Sequence, residues 1–282
     1  MTSVPNEEFF DNAGQKVFLR SWKPAGPPKA IVTICHGIYS HSGYYLWAGE
    51  QLAAAGYSVY ALDLPGRGRS EGKRFFITDI GAYVDAVARM IELAKSREPG
   101  LPVFQLGHSA GGVTSTTYAL DNQDKIAGLI CESFAYRVFA PDFALPILKW
   151  LGKTFPNAPA LKLPLPAFTR DPGRLKEMQE DPLIAGEVQP AATIGAFVRA
   201  SERLHRDFST IRLPVFILHG AADKATVPAG SEEFFGSASS TDKTLKLYDG
   251  HVHDLLNDIG REGVMADIVA WLDRRATGKP AS

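Results

Sequence analysis

The sequence predicts an α/β fold: a mostly parallel sheet with helices on both faces, interrupted by one long insertion. From Val17 to Ser133, short runs of β-branched and aromatic residues alternate with longer stretches at helical spacing, the order that βαβ units produce. After Ser133 that rhythm stops, and it resumes only at Val215. The composition, 45% hydrophobic and 22% charged over 282 residues, supports a sizeable core and excludes a disordered, collagenous or coiled-coil chain.

Val17 to Trp22, Ala30 to Cys35 and Tyr57 to Leu62 read as strands, being short apolar runs with Gly or Pro close by. Tyr44 to Ala55 and Asp79 to Arg97 carry amphipathic spacing and read as helices. Val103 to Leu106 and Ile126 to Cys131 are further strands, with a helix from Gly111 to Asp121 between them. Prolines from Pro141 to Pro190 then cut the chain into pieces unsuited to a series of sheet strands, and a helix follows from Ala191 to Phe208. Strands at Val215 to His219 and Thr244 to Tyr248, with helices near Ser231 to Phe235 and Val264 to Arg275, complete the pattern. The expected layout is a core of residues 1–133 and 210–282 with a cap, or lid, at 134–209.

Thirty basic against thirty-one acidic residues leave a net charge of −1, so no long-range field gathers a polyanion and no nucleic-acid partner is expected. The basic cluster Arg67, Arg69, Lys73 and Arg74 is interrupted by Glu71 in a Gly-rich loop and reads as a solvated loop. Cys35 and Cys131 each close an apolar run and read as buried thiols, with no disulfide framework or zinc site. Glu7 and Glu8 stand where a signal peptide needs a basic flank, and no run approaches transmembrane length. A cytoplasmic protein is the expectation, with a peripheral membrane contact left open.

Gly107-His108-Ser109-Ala110-Gly111 follows a strand and opens a helix, the setting in which Gly-x-Ser-x-Gly presents a nucleophilic serine on a sharp turn. A plain Gly-rich connection is the alternative; the segment lacks the Lys-Ser/Thr of a phosphate-binding loop and does not fit Gly-x-Gly-x-x-Gly. A serine hydroxyl needs a base, and the base needs an orienting acid. Asp223 lies three residues past Gly220 at the end of a strand, where a turn or helix cap is its plainer role. The next strand ends in Asp249-Gly250-His251-Val252-His253, and spacing alone does not choose between the two histidines. Read as His-x-His they also suggest a metal, but the further ligands are absent at usable spacing. His219, within its strand, reads as a buried structural histidine.

The order serine, acid, histidine matches one of the known triad arrangements and differs from those of chymotrypsin and subtilisin. An oxyanion needs backbone N–H donors, and the His36-Gly37 turn after Ala30 to Cys35 can offer that of Ile38, while the helix start after the serine offers that of Ala110. Without the serine motif, the first would read as an ordinary βα turn.

In combination, His36-Gly37 with His41-Ser42-Gly43, Asp63-x-x-Gly66-x-Gly68-x-Ser70-Glu71-Gly72, Gly107-His108-Ser109-x-Gly111-Gly112, Asp181-Pro182-Leu183, Leu218-x-Gly220-x-x-Asp223 and Tyr248-x-Gly250-x-x-His253 resemble the monoglyceride lipase/lysophospholipase group of α/β-hydrolases, within the serine aminopeptidase-type hydrolases. The match runs over roughly residues 30–275. The resemblance implies an eight-stranded α/β-hydrolase core, a helical cap, cofactor-free ester hydrolysis and the triad Ser109, Asp223, His253; its Gly-x-x-His pattern selects His253 over His251. Four positions depart from it. Ser40 and Tyr44 replace the usual Glu and Arg associated with the glycerol end of the substrate, Ala110 replaces Met, and Arg67 replaces His between two glycines.

The expected function is therefore a serine hydrolase cleaving a monoacylglycerol- or lysophospholipid-like acyl ester through an acyl-enzyme. The alternatives are a short-chain carboxylesterase or thioesterase with the same triad, and a non-catalytic binding module. In the insertion, Phe143, Leu145, Ile147, Leu148, Trp150, Leu151 and Phe155 read either as cap core or as a face for acyl chains or a membrane surface.

Overall fold

The computed structural model describes residues 4–139 and 144–276. Ten strands and eight helices follow in chain order among the described residues. They are β1 (Asn6–Asn12), β2 (Gln15–Trp22), β3 (Ala30–Cys35), α1 (Leu46–Ala54), β4 (Tyr57–Leu62), α2 (Gly81–Arg97), β5 (Val103–His108), α3 (Ala110–Asn122) and β6 (Gly128–Glu132). Next come α4 (Ala144–Thr154), β7 (Pro159–Leu161), α5 (Pro172–Glu180), β8 (Gln189–Pro190) and α6 (Ala191–Asp207). The chain closes with β9 (Val215–Gly220), α7 (Pro228–Ser237), β10 (Lys243–Tyr248) and α8 (Arg261–Ala276).

Eight strands form the main sheet in the order β1-β2-β4-β3-β5-β6-β9-β10. β2 pairs antiparallel with both β1 and β4, and every later neighbour pair is parallel. Strands β3, β4, β5 and β9 are buried at every position, which is what continuous apolar runs require when helices cover both faces. On one face Tyr83, Val87 and Met90 of α2, Val113 of α3 and Phe234 of α7 pack together; on the other, Leu52 of α1 meets Val264, Ile268 and Trp271 of α8. Trp271 sits edge-on to Phe104 and stacked on Phe216, closing the second face.

The sequence reading places the main-sheet strands and the helices that cover them to within a few residues but omits β1, and within 134–209 it expects the α6 helix but not α4, α5, β7 or β8. That strand, at the sheet edge, is mostly exposed and buries only Phe10, and its antiparallel pairing with β2 identifies it. Between β6 and β9 the chain leaves the main sheet; β7 and β8 pair only with each other, and α6 packs against α4 and α3. One expectation is corrected in the loop after β4. Arg67 is not part of a solvated loop: it is 1% exposed, with its guanidinium bonded to Tyr83, Glu187 and Gln189. Its partners at 187 and 189 lie far along the sequence, where a local charge pattern carries no sign of them.

The parallel strands β3, β5, β9 and β10 all end at the same edge, where an open α/β sheet gathers its functional loops.

Candidate active site

Ser109 lies between β5 and α3 with φ 55° and ψ −121°, a left-handed backbone that a non-glycine residue adopts only under constraint. Its N–H donates to Glu132 O at 2.8 Å, and its carbonyl accepts from Gly112 N at 2.9 Å. The flanking glycines make the turn possible. A Cβ on Gly107 would fall 2.5 Å from Gly111 O, and one on Gly111 would fall 2.2 Å from Cys35 O. The turn after β3 presses against the serine as well, since a Cβ on Gly37 would lie 2.8 Å from Ser109 Cβ.

That second turn is pinned by His36. Its Nδ1 donates to Gly37 O at 2.7 Å, and its Nε2 accepts from Leu64 N at 2.9 Å. Burial pushes the His36 imidazole down to about 3, so it stays neutral and keeps this tautomer. Among the described residues, neither Ile38 N–H nor Ala110 N–H donates to another protein group. These are the two donors the sequence nominates for an oxyanion.

Asp223, in the loop after β9, meets His253 and not His251: His253 Nδ1 lies 2.8 Å from Asp223 Oδ2. The same carboxylate accepts from Thr226 Oγ1 at 2.7 Å, Ala225 N at 2.7 Å and Thr226 N at 3.0 Å, with His219 Nε2 at 3.1 Å. Burial alone would raise its pKa, but the facing imidazoles and these donors outweigh burial and hold Asp223 well below the usual carboxylate range. His251 instead turns its Nδ1 to Asp249 O at 3.2 Å. Gly220 is needed because a Cβ there would fall 2.2 Å from Val252 O, where the His253 loop crosses. No hydrogen bond joins Ser109 Oγ to His253 among the described residues; such contacts commonly tighten only when substrate is bound.

Several contacts escape a sequence reading. His219 is buried, as its place within a strand implies, with Nδ1 2.7 Å from Ser231 Oγ; what the sequence does not show is that its Nε2 faces Asp223. The His-Gly-x-x-Asp spacing was the available signal. His108, inside the serine motif, packs its ring 4.9 Å from that of His253. His108 Nε2 lies 3.1 Å from Asp254 Oδ1, too poorly angled for a hydrogen bond, and Glu132 is the next nearest carboxylate in influence. Burial opposes its charge, but Asp254 and Glu132 prevail and push His108 up to about 9. His108, His253 and Asp254 are the one set among the described residues whose ligand atoms gather closely enough for a metal ion; the pull on His108 toward its cation opposes that use, since a metal needs a neutral imidazole. From the segment between β6 and β9, Phe168 packs edge-on to His253 at 5.1 Å.

Tyr44, one of the departures from the family pattern, sits beside a cavity of about 340 Å³ lined by His41, Arg174, Glu177 and Asp181. Its hydroxyl donates to Asp181 Oδ2 at 2.9 Å, as His41 Nε2 approaches the same oxygen at 2.8 Å, and the Arg174 guanidinium lies 4.4 Å over its ring.

Residues 26–260 match the family model described as "Serine aminopeptidase, S33". The chain is 31% identical over 275 residues to the monoglyceride lipase of Homo sapiens, covering 95% of this chain and 91% of that one. It is 29% identical over 277 residues to the monoacylglycerol lipase of Mycolicibacterium smegmatis, with 96% and 98% covered. Among solved structures, the monoacylglycerol lipase of Paleococcus ferrophilus superposes with a TM-score of 0.83 at 31% identity, covering 92% of this chain and 99% of the other.

The His108 environment has a measurable consequence. Because its folded pKa of about 9 lies above the usual histidine value, its contribution to stability is complete below about pH 6.5 and lost as pH rises through 9. The unfolding free energy of the protein is expected to fall over that window by on the order of a few kcal/mol. In His108→Gln, denaturant titrations across the same pH range are expected to lose most of that slope; an unchanged slope would assign it to another group.

Proposed function

From the premise that the chain belongs to the serine aminopeptidase S33 family of hydrolases, with an α/β-hydrolase fold, we propose that it is a serine esterase acting on monoacylglycerol-like acyl esters. The observation that carries the reading is the Asp223–His253 hydrogen bond of 2.8 Å at the sheet edge where the strained turn presents Ser109. Ser109 Oγ attacks the ester carbonyl while His253 Nε2 takes its proton. Asp223 holds Nδ1–H and stabilises the imidazolium that forms. Ile38 and Ala110 N–H groups receive the developing oxyanion. His253 returns the proton to the leaving alcohol, and water releases the acyl group by the same steps in reverse order of roles. No cofactor enters this scheme.

The substrate class is supported by the monoglyceride and monoacylglycerol lipases that the chain resembles over nearly their whole length. A lysophospholipid substrate is the second reading, favoured by one relative of Bacillus subtilis described as phospholipase YtpA, 27% identical over 264 residues. The segment 134–209 is proposed as the cap over this site. On its α4, Ile147 and Trp150, and just past its end Phe155, are each more than half exposed, which sets them apart from a buried cap core; Phe143 lies outside the described residues. Among the described residues no helix is long and apolar enough to cross a membrane, so the proposed membrane contact is peripheral and runs through this face.

Two outcomes test the reading. Hydrolysis across p-nitrophenyl esters, medium- and long-chain monoacylglycerols and lysophospholipids is expected to peak on monoacylglycerols and to fall by about 10⁴-fold or more in Ser109→Ala. Activity confined to short esters would keep the triad and overturn the substrate. Co-sedimentation with phosphatidylcholine vesicles is expected to drop several-fold in Ile147→Ser/Trp150→Ser with hydrolysis of a soluble short ester unchanged; equal co-sedimentation would remove the membrane contact.

A further inference from the structure

Tyr39 immediately follows Ile38 and has φ 52°, a left-handed backbone unfavourable for a bulky residue. Such a conformation persists only where neighbours fix it, and here the fixing groups come from the distant segment between β6 and β9. Tyr39 N donates to Glu187 Oε1 at 2.9 Å, Tyr39 Oη donates to Glu187 O at 2.8 Å, and Leu163 N donates to Tyr39 Oη at 3.1 Å. The residue beside the oxyanion donor is thus clamped at both its amide and its hydroxyl.

The clamp is itself anchored. Arg67 Nη1 lies 2.6 Å from Glu187 Oε1, both side chains being 1% exposed, and Gln189 Nε2 donates to the same oxygen at 2.5 Å. The guanidinium is completed by Gln189 Oε1 at 2.7 Å and Tyr83 Oη at 2.9 Å. Three donors therefore converge on Glu187 Oε1. A buried ion pair is weak evidence of stabilisation, since desolvation offsets much of the attraction. What the pair does fix is the position of one oxygen atom, and that oxygen holds Tyr39 N.

We infer that the buried Arg67–Glu187 pair holds the oxyanion turn in register, making Glu187 a positioning residue for ester hydrolysis. The inference rests on the reading of Ile38 N–H as an oxyanion donor. It assigns the segment that carries Glu187 a part in the reaction beyond enclosing substrate: the turn is aimed by the side-chain oxygen that residue 187 presents to Tyr39 N, which Arg67 helps to seat. Removing a donor outright costs oxyanion sites about 10²–10³ in kcat, so loosening one is expected to cost about tenfold.

The test compares two neutral double variants, neither of which leaves a lone buried charge. Arg67→Met/Glu187→Gln keeps an amide oxygen for Tyr39 N; Arg67→Met/Glu187→Ala removes it. Each is assayed for kcat and KM on p-nitrophenyl butyrate, for Tm, and for inhibition by an aliphatic trifluoromethyl ketone. Ser109 Oγ adds to the ketone carbonyl, its proton passes to His253, and the former carbonyl oxygen carries the negative charge into the oxyanion site. The alanine pair is expected to show about tenfold lower kcat than the glutamine pair, KM within twofold, and ketone binding weakened by the same factor as kcat. Equal kcat and equal ketone binding in the two pairs, whatever their Tm, would overturn the positioning role. Should either pair fail to fold, Tyr39→Phe removes the hydroxyl held by Glu187 O and Leu163 N: a few-fold parallel loss supports the role, and wild-type values overturn it. Ser109→Ala separates the two failures. Activity surviving there would overturn the catalytic reading itself, whereas an inactive Ser109→Ala with matching double variants overturns only the part given to Glu187.

Discussion

A left-handed serine at the end of a central parallel strand is an expensive arrangement, worth about 1–3 kcal/mol of backbone strain, and the surrounding structure is organised to hold it. The strain is contained by hydrogen bonds at both sides of the residue, through Glu132 O and Gly112 N, and by glycines at 107 and 111 where any side chain would strike backbone. Because β5 lies in the interior of the sheet, the strands on both sides reinforce the turn. β3 brings the Gly37 turn against Ser109, and β6 supplies the carbonyl that holds Ser109 N–H. Relaxing the turn would withdraw the hydroxyl from the edge where the loops after β9 and β10 arrive.

Charge in the site is separated by environment. Asp223 is surrounded by donors from its own loop and by two imidazoles, so it stays ionised and can orient His253. A few ångströms away, His108 carries the opposite tendency because Asp254 and Glu132 face it in a buried setting. Burial pushes Glu132 upward, while the facing His108 imidazole pulls it the other way. The segment between β6 and β9 reaches the same region twice, through Phe168 on His253 and through Glu187 on Tyr39. Tyr39 and Phe168 also pack edge-on at 5.6 Å, so the two contacts are mechanically continuous.

Local chemistry made most of the fold and the nominated site legible. The Gly-x-Ser-x-Gly turn, the Gly-x-x-Asp loop and the end of β10 are each signalled by residues adjacent in sequence, and α/β alternation orders them along one sheet edge. Outside the insertion, what escaped was nonlocal. β1 lacks an apolar run of its own and exists through pairing with β2. Arg67 reads as solvated until Glu187 and Gln189 arrive from 120 and 122 residues away. His108 hides inside the serine motif because its role comes from Asp254 and Glu132, on other elements. The choice between His251 and His253 needed the family pattern; the structure then brings His253, and not His251, to Asp223.

The central claim is that Ser109 carries the acyl group between the two half-reactions. Its most direct measurement is rapid acid quench of the enzyme turning over a p-nitrophenyl ester, followed by peptide mass mapping. The account requires an acyl adduct on the peptide containing Ser109, formed in a burst equal to the enzyme concentration and strongly slowed in His253→Ala. Full turnover with no covalent intermediate, or an adduct on another residue, would contradict it.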